Sequence, residues 1–166
     1  MRPSAMDRAA FVARFGGVFE HSPWVAEAVW ESGRVPDGVE ALHAAMAAVV
    51  RAAGRDRQTA LLNAHPDLAG RLAVRGALTA DSRLEQAGAG LDRCSPDEHA
   101  RFTELNDAYR ARFGFPFILA VKGRSRAEIL AIFERRLGNA PEEEFATALA
   151  EVERIARLRL ADLLPP

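Results

Sequence analysis

Apolar residues recur along this chain at steps of three and four, the period of an amphipathic helix, and helix-ending residues fall between the repeats. Phe11, Phe15, Val18 and Phe19 form a short stripe on a first helix after Asp7. Ser22 and Pro23 read as an N-cap and first-turn pair for a second helix, with Gly33 as its stop. A third starts near Asp37, carries Leu42, Met46 and Val49 on one side, and ends at Gly54. Residues Arg57 to Ala64 read as a helix ended by His65-Pro66, because proline drives its predecessor toward extended geometry. Asp67 is placed to cap a short continuation to Val74 that stops at Gly76.

The second half follows the same logic. A helix from about Ala80 frays into Gly88 and Gly90. Ser95-Pro96-Asp97-Glu98 is a capping box with proline at the first helical position, opening the helix of Phe102, Leu105, Tyr109 and Phe113 that Gly114 ends. Ser125 and Glu128 form a second such box ahead of Ile129, Ile132, Phe133 and Leu137, with Gly138 as the stop. A long last helix runs from near Pro141 to about Leu164. Only Phe115 to Val121 has the apolar density of a strand. Pro116 and the lack of a partner strand make it a buried extended connection instead.

Composition agrees with helix. Alanine occurs 33 times against 19 for Val, Ile and Thr together, and alanine loses least on entering a helix. The 166 residues suit one domain with a real core. The expected architecture is all-α: a single-domain compact helical bundle over residues 1–166, with about eight to nine helices and one buried extended connection.

Charge narrows the function classes. Acids and bases nearly cancel, to a net charge of −1, and the bases are arginines except for Lys122. No basic block marks a nucleic-acid surface. The longest apolar runs, Ala44 to Val50 and Phe115 to Val121, are far too short to span a bilayer, and the N-terminal stretch lacks a signal-peptide apolar region. The single cysteine, Cys94, excludes an internal disulfide and a cysteine-rich zinc site. A cytoplasmic protein is expected.

The histidines His21, His43, His65 and His99 do not pair at metal-ligand spacing, and no phosphate-binding glycine loop or nucleophile elbow occurs, so no metal or cofactor is expected. Three features carry chemistry. His65 sits in a helix break, where the backbone holds it and its imidazole can titrate near neutrality; alternatively it only satisfies the last helix carbonyls. Ser82, Glu85 and Gln86 share one helix face, either as a polar patch or as a third capping box. Arg159 takes a place in the apolar series Phe145, Leu149, Val152, Ala156 and Leu163. Its guanidinium must snorkel out, pair with a buried carboxylate such as Glu85, or face an anion.

The segments HSPWVAE, NAHPDLAG, SRLEQAGAGLD, LNDAYRARFGFPFILAVKG and IARLRLADLL together resemble the 2-oxo-4-hydroxy-4-carboxy-5-ureidoimidazoline (OHCU) decarboxylase family, from about Phe11 to Leu164. The resemblance implies cofactor-free decarboxylation of OHCU to (S)-allantoin and carbon dioxide in urate degradation. It implies His65 as catalytic acid with Glu85, and Pro66, Ser82, Arg83, Leu84, Glu85 and Gln86 lining the substrate pocket. Phe117, Ile118, Leu119, Ala120 and Val121 would supply backbone groups to the substrate, and Arg159 would bind its anion. It also implies a homodimer, and the C-terminal DLLPP lacks a peroxisomal signal, in keeping with a cytoplasmic enzyme.

Overall fold

The computed structural model describes residues 1–70, 73 and 75–166. Among them every regular element is helical, with eight α-helices and no strand. The chain forms two compact units, residues 1–64 with 152–166, and residues 65–151.

In the first unit, α1 (Arg8–Phe15) is capped by the Asp7 carboxylate, which accepts from the Ala10 N–H. Then come α2 (Trp24–Glu31), α3 (Val39–Ala52) and α4 (Arg55–Asn63), with α2 packed on both α1 and α3. Phe11, Phe15, Leu42, Met46 and Val50 are fully enclosed. Two local expectations change. Val18 and Phe19 are buried but lie in turns after α1 has ended. Ser22 is not a cap: its hydroxyl donates back to the Glu20 carbonyl, and α2 starts without a side-chain cap. α3 starts close to Asp37 as expected: Gly38, with φ 96°, precedes its first residue, and Asp37 accepts from the Ser4 backbone and hydroxyl.

The second unit contains α5 (Ala80–Gly88), α6 (Pro96–Phe113), α7 (Arg126–Leu137) and the first part of α8 (Pro141–Leu163), whose last residues belong to the first unit. The helical continuation expected from Asp67 to Val74 opens as a turn at Leu68–Ala69, Ala73 is helical, and Arg71, Leu72 and Val74 lie outside the described residues. The reciprocal box of Ser95 and Glu98 opens α6, and the Ser125 hydroxyl accepts from the Glu128 N–H at the start of α7. Residues 116–121 form a buried extended connection, as expected. Tyr109 on α6 is the centre of this unit's aromatic core. Its ring meets Phe113, Phe115, Phe117 and Phe133, and Phe117 stacks on Phe133 at 3.8 Å.

Candidate active site

His65 is buried at the start of a tight turn. Ala69, two residues past Asp67, holds a left-handed φ of 50°, unusual for a residue with a side chain. Gly70 is required on other grounds: a Cβ there would lie 2.6 Å from the Asp67 Cβ. Gln86 on α5 holds this turn from both sides, its Nε2 donating to the Asp67 carbonyl at 3.2 Å and its Oε1 accepting from the Ala69 N–H at 3.0 Å. The last turn of α5 is thereby fixed within two residues of His65.

Helix α5 begins with a true cap, but it is Thr79, whose hydroxyl accepts from the Ser82 N–H at 3.2 Å. Ser82 is therefore inside the helix and is not the first residue of a capping box. Ser82 and Gln86 are buried and Glu85 is half-buried, so the face they share is turned inward. Arg83 and Leu84 are on the other side of that helix, exposed, Leu84 at 67%.

Helix α6 links this turn to the extended connection. Asn106 Nδ2 donates to the Leu68 carbonyl at 3.0 Å and Arg110 Nε to Asp67 at 2.9 Å, while Tyr109, three residues past Asn106 and on the same face, packs its ring against Phe117. Phe117, Ile118, Leu119, Ala120 and Val121 are each at most 6% exposed. Among the described residues, none of their five backbone N–H groups donates to a protein acceptor. Buried backbone donors are almost always paired, so five in sequence form a strip with strong hydrogen-bonding capacity.

Behind the strip lies a buried ionic network. Arg136 donates to both oxygens of Glu144 at 3.0–3.1 Å and to the Ile118 carbonyl at 2.7 Å. Tyr109 and Asn139 also donate to Glu144. Burial alone would raise the Glu144 carboxyl, but the hydrogen bonds from Arg136, Tyr109 and Asn139 outweigh it and hold the group below its ordinary range. The Tyr109 hydroxyl is pushed far above its usual value by burial and by the adjacent Glu144 carboxylate.

A sequence profile of the OHCU decarboxylase family matches residues 4–161. The chain belongs to the OHCU decarboxylase family. It is 46% identical over 157 residues to a 2-oxo-4-hydroxy-4-carboxy-5-ureidoimidazoline decarboxylase of Haloferax volcanii, covering 95% of this chain and 90% of that one. It is 44% identical over 164 residues to the enzyme of the same name from Mus musculus, covering 99% and 92%. The solved structure of an (S)-allantoin synthase is similar with a TM-score of 0.79 and 33% identity; the match covers 98% of this chain and spans about half, 52%, of that one.

Within this OHCU decarboxylase family member, the second unit brings together the His65 turn and the Ser82–Gln86 face, and α6 ties the turn to the same helix face that packs on Phe117. In the first unit, Arg159 is buried and its Nη2 donates to Glu20 Oε2 at 2.8 Å, with Nη1 donating to the Gly17 carbonyl at 3.2 Å. Glu20, the acid that follows the buried run Val18-Phe19, thus supplies a buried carboxylate to Arg159. His21 beside it holds a φ of 46°, with Nε2 4.0 Å from Glu20 Oε1. Two further residues were outside the expected set. Glu20 carries the only acid of its apolar stretch, and Arg136 follows Ile129 and Phe133 at helical spacing, so both had a signal in the apolar pattern.

Proposed function

We infer that this protein decarboxylates OHCU to (S)-allantoin and carbon dioxide in urate degradation, with His65 delivering the proton that sets the configuration. The observation that carries this reading is the strip of N–H donors on the buried residues Phe117 to Val121, unpaired among the described residues, in the same unit as a buried histidine in a braced turn. OHCU offers ring and ureido carbonyls, which are acceptors, and a chain of backbone donors is suited to fix such a molecule without any charged side chain.

The chemistry asks little more of the protein. The carboxylate of OHCU is on a carbon next to a ring C=N bond. When the bond to the carboxylate breaks, carbon dioxide leaves and the electron pair moves toward that C=N, which acts as the electron sink. A proton then goes to one face of the ureido-bearing carbon. His65, whose imidazole can carry a proton near neutrality, is the donor in this reading. Glu85 works with it, either orienting and keeping protonated the imidazole or pressing against the carboxylate to favour its loss. Pro66 and the inward face of Ser82, Glu85 and Gln86 border the substrate, and Arg159 binds an anionic group of it. The family resemblance supports a cytoplasmic homodimer as the working form.

Turnover separates this reading from action on another cyclic ureide. Initial rates on freshly generated OHCU should exceed those on related ureido or imidazoline acids at equal concentration by at least a hundredfold. Equal or greater rates on one of the related acids would move the substrate assignment to it.

A further inference from the structure

The extended connection has no hydrogen-bonded ladder to set its peptide planes, so something else must orient its donors. One group does so. Arg136 on α7 is 4% exposed, and its Nη1 donates to the Ile118 carbonyl at 2.7 Å, the shortest of its contacts. The face of the same guanidinium lies over the Phe117 ring, 4.4 Å from its centroid, and that ring is itself stacked on Phe133. Two successive residues of the strip are therefore gripped by one side chain. The guanidinium is held in turn by Glu144, to which Tyr109 and Asn139 also donate.

A peptide unit is planar and trans, so its C=O and N–H point in opposite directions. With the Ile118 carbonyl directed at Arg136, the Leu119 N–H of the same peptide is directed away from the ionic network. The geometry points to Arg136 as a positioning residue for substrate binding: by clamping the Ile118 carbonyl it aims the Leu119 N–H at the substrate. This rests on the reading of the strip as the substrate's hydrogen-bonding surface. It assigns to a buried ion pair, which in itself adds little to stability, a use in recognition. Only an arginine has the donors for it, since the planar fork serves Glu144 through Nε and Nη2 and leaves Nη1 for the carbonyl.

The test is Arg136→Lys, which keeps the charge opposite Glu144 but lacks the fork. A donor that binds substrate away from the reacting carbon contributes equally in ground and transition states. The variant should raise KM for freshly generated OHCU about tenfold while kcat stays within about threefold, in protein whose helical circular dichroism matches the wild type. An unchanged KM in folded Arg136→Lys overturns the proposal and leaves the pair purely structural. Should that variant not fold, Glu144→Gln, which slackens the anchor and leaves Arg136 in place, takes over. A KM raised about threefold or more supports the assignment there, and an unchanged KM overturns it. Titration of 15N-labelled protein with (S)-allantoin separates the two layers of the argument. If the amides of Phe117 to Val121 do not shift in the wild type, the reading of the strip itself fails. If the Leu119 amide shifts equally in the wild type and in Arg136→Lys, only the role of Arg136 is lost.

Discussion

Arg159 donates to Glu20 at 2.8 Å, and the two side chains are only 6% and 1% exposed. A pair this enclosed is costly to break from one side, because the remaining charge is left in a low-dielectric surrounding. Glu20→Gln should lower the unfolding free energy by about 3 kcal/mol. Chemical denaturation measures it, and Glu40→Gln, at the exposed pair with Arg157, should leave the midpoint unchanged.

Gln86 braces the turn after His65 through two backbone groups, the Asp67 carbonyl and the Ala69 N–H. Gln86→Leu keeps the volume and removes both bonds, leaving a buried donor and acceptor unsatisfied. The expected cost is about 2–4 kcal/mol in urea unfolding. Because the turn also carries His65, turnover should fall more than tenfold at temperatures where the variant is still folded. A variant that loses stability but keeps its full rate would show that the turn does not position the histidine.

The network of Glu144 makes stability depend on pH at both ends. The folded-state carboxyl is depressed below its ordinary 4.5, so the unfolded chain binds the proton more readily. The contribution is fully present above about pH 4.5 and is lost as pH falls through the folded value. Tyr109 has the opposite sign: its hydroxyl is raised above its ordinary 10.0, so its contribution is present below that value and is lost as pH rises beyond it. Unfolding free energy measured across pH should show Glu144→Gln flattening the acid limb and Tyr109→Phe flattening the alkaline one.

His65→Ala should still fold, as a buried side chain at a helix end is removed without touching the Gln86 bonds. It should lose both rate and the excess of the S product. Retention of the full rate with full stereoselectivity would transfer the proton donor's role to another group.

How much of this was legible in the sequence depended on how local the deciding interaction was. Asp7, Ser95 and Ser125 were readable as caps because each closes on an N–H three residues away. Ser22 has the same chemistry but does not cap, since its hydroxyl turns back to the Glu20 carbonyl instead. The break of the apolar series at Arg159 announces a guanidinium in need of a partner, and Glu20 supplies a carboxylate to it across 139 positions of sequence. Arg136 breaks the Ile129–Phe133 series in the same manner. Its importance emerges only once the fold brings Ile118 and Glu144 to it. The spacing of Ser82 and Glu85 favours a cap over a polar face, and Thr79, taking the cap, leaves the second.

The central claim is stereospecific decarboxylation. It is tested most directly by following the circular dichroism of OHCU generated from urate in situ, with and without the protein. Rapid growth of an optically active (S)-allantoin signal is the predicted result. Racemic allantoin formed at the blank rate, from protein shown to be folded, would contradict the account.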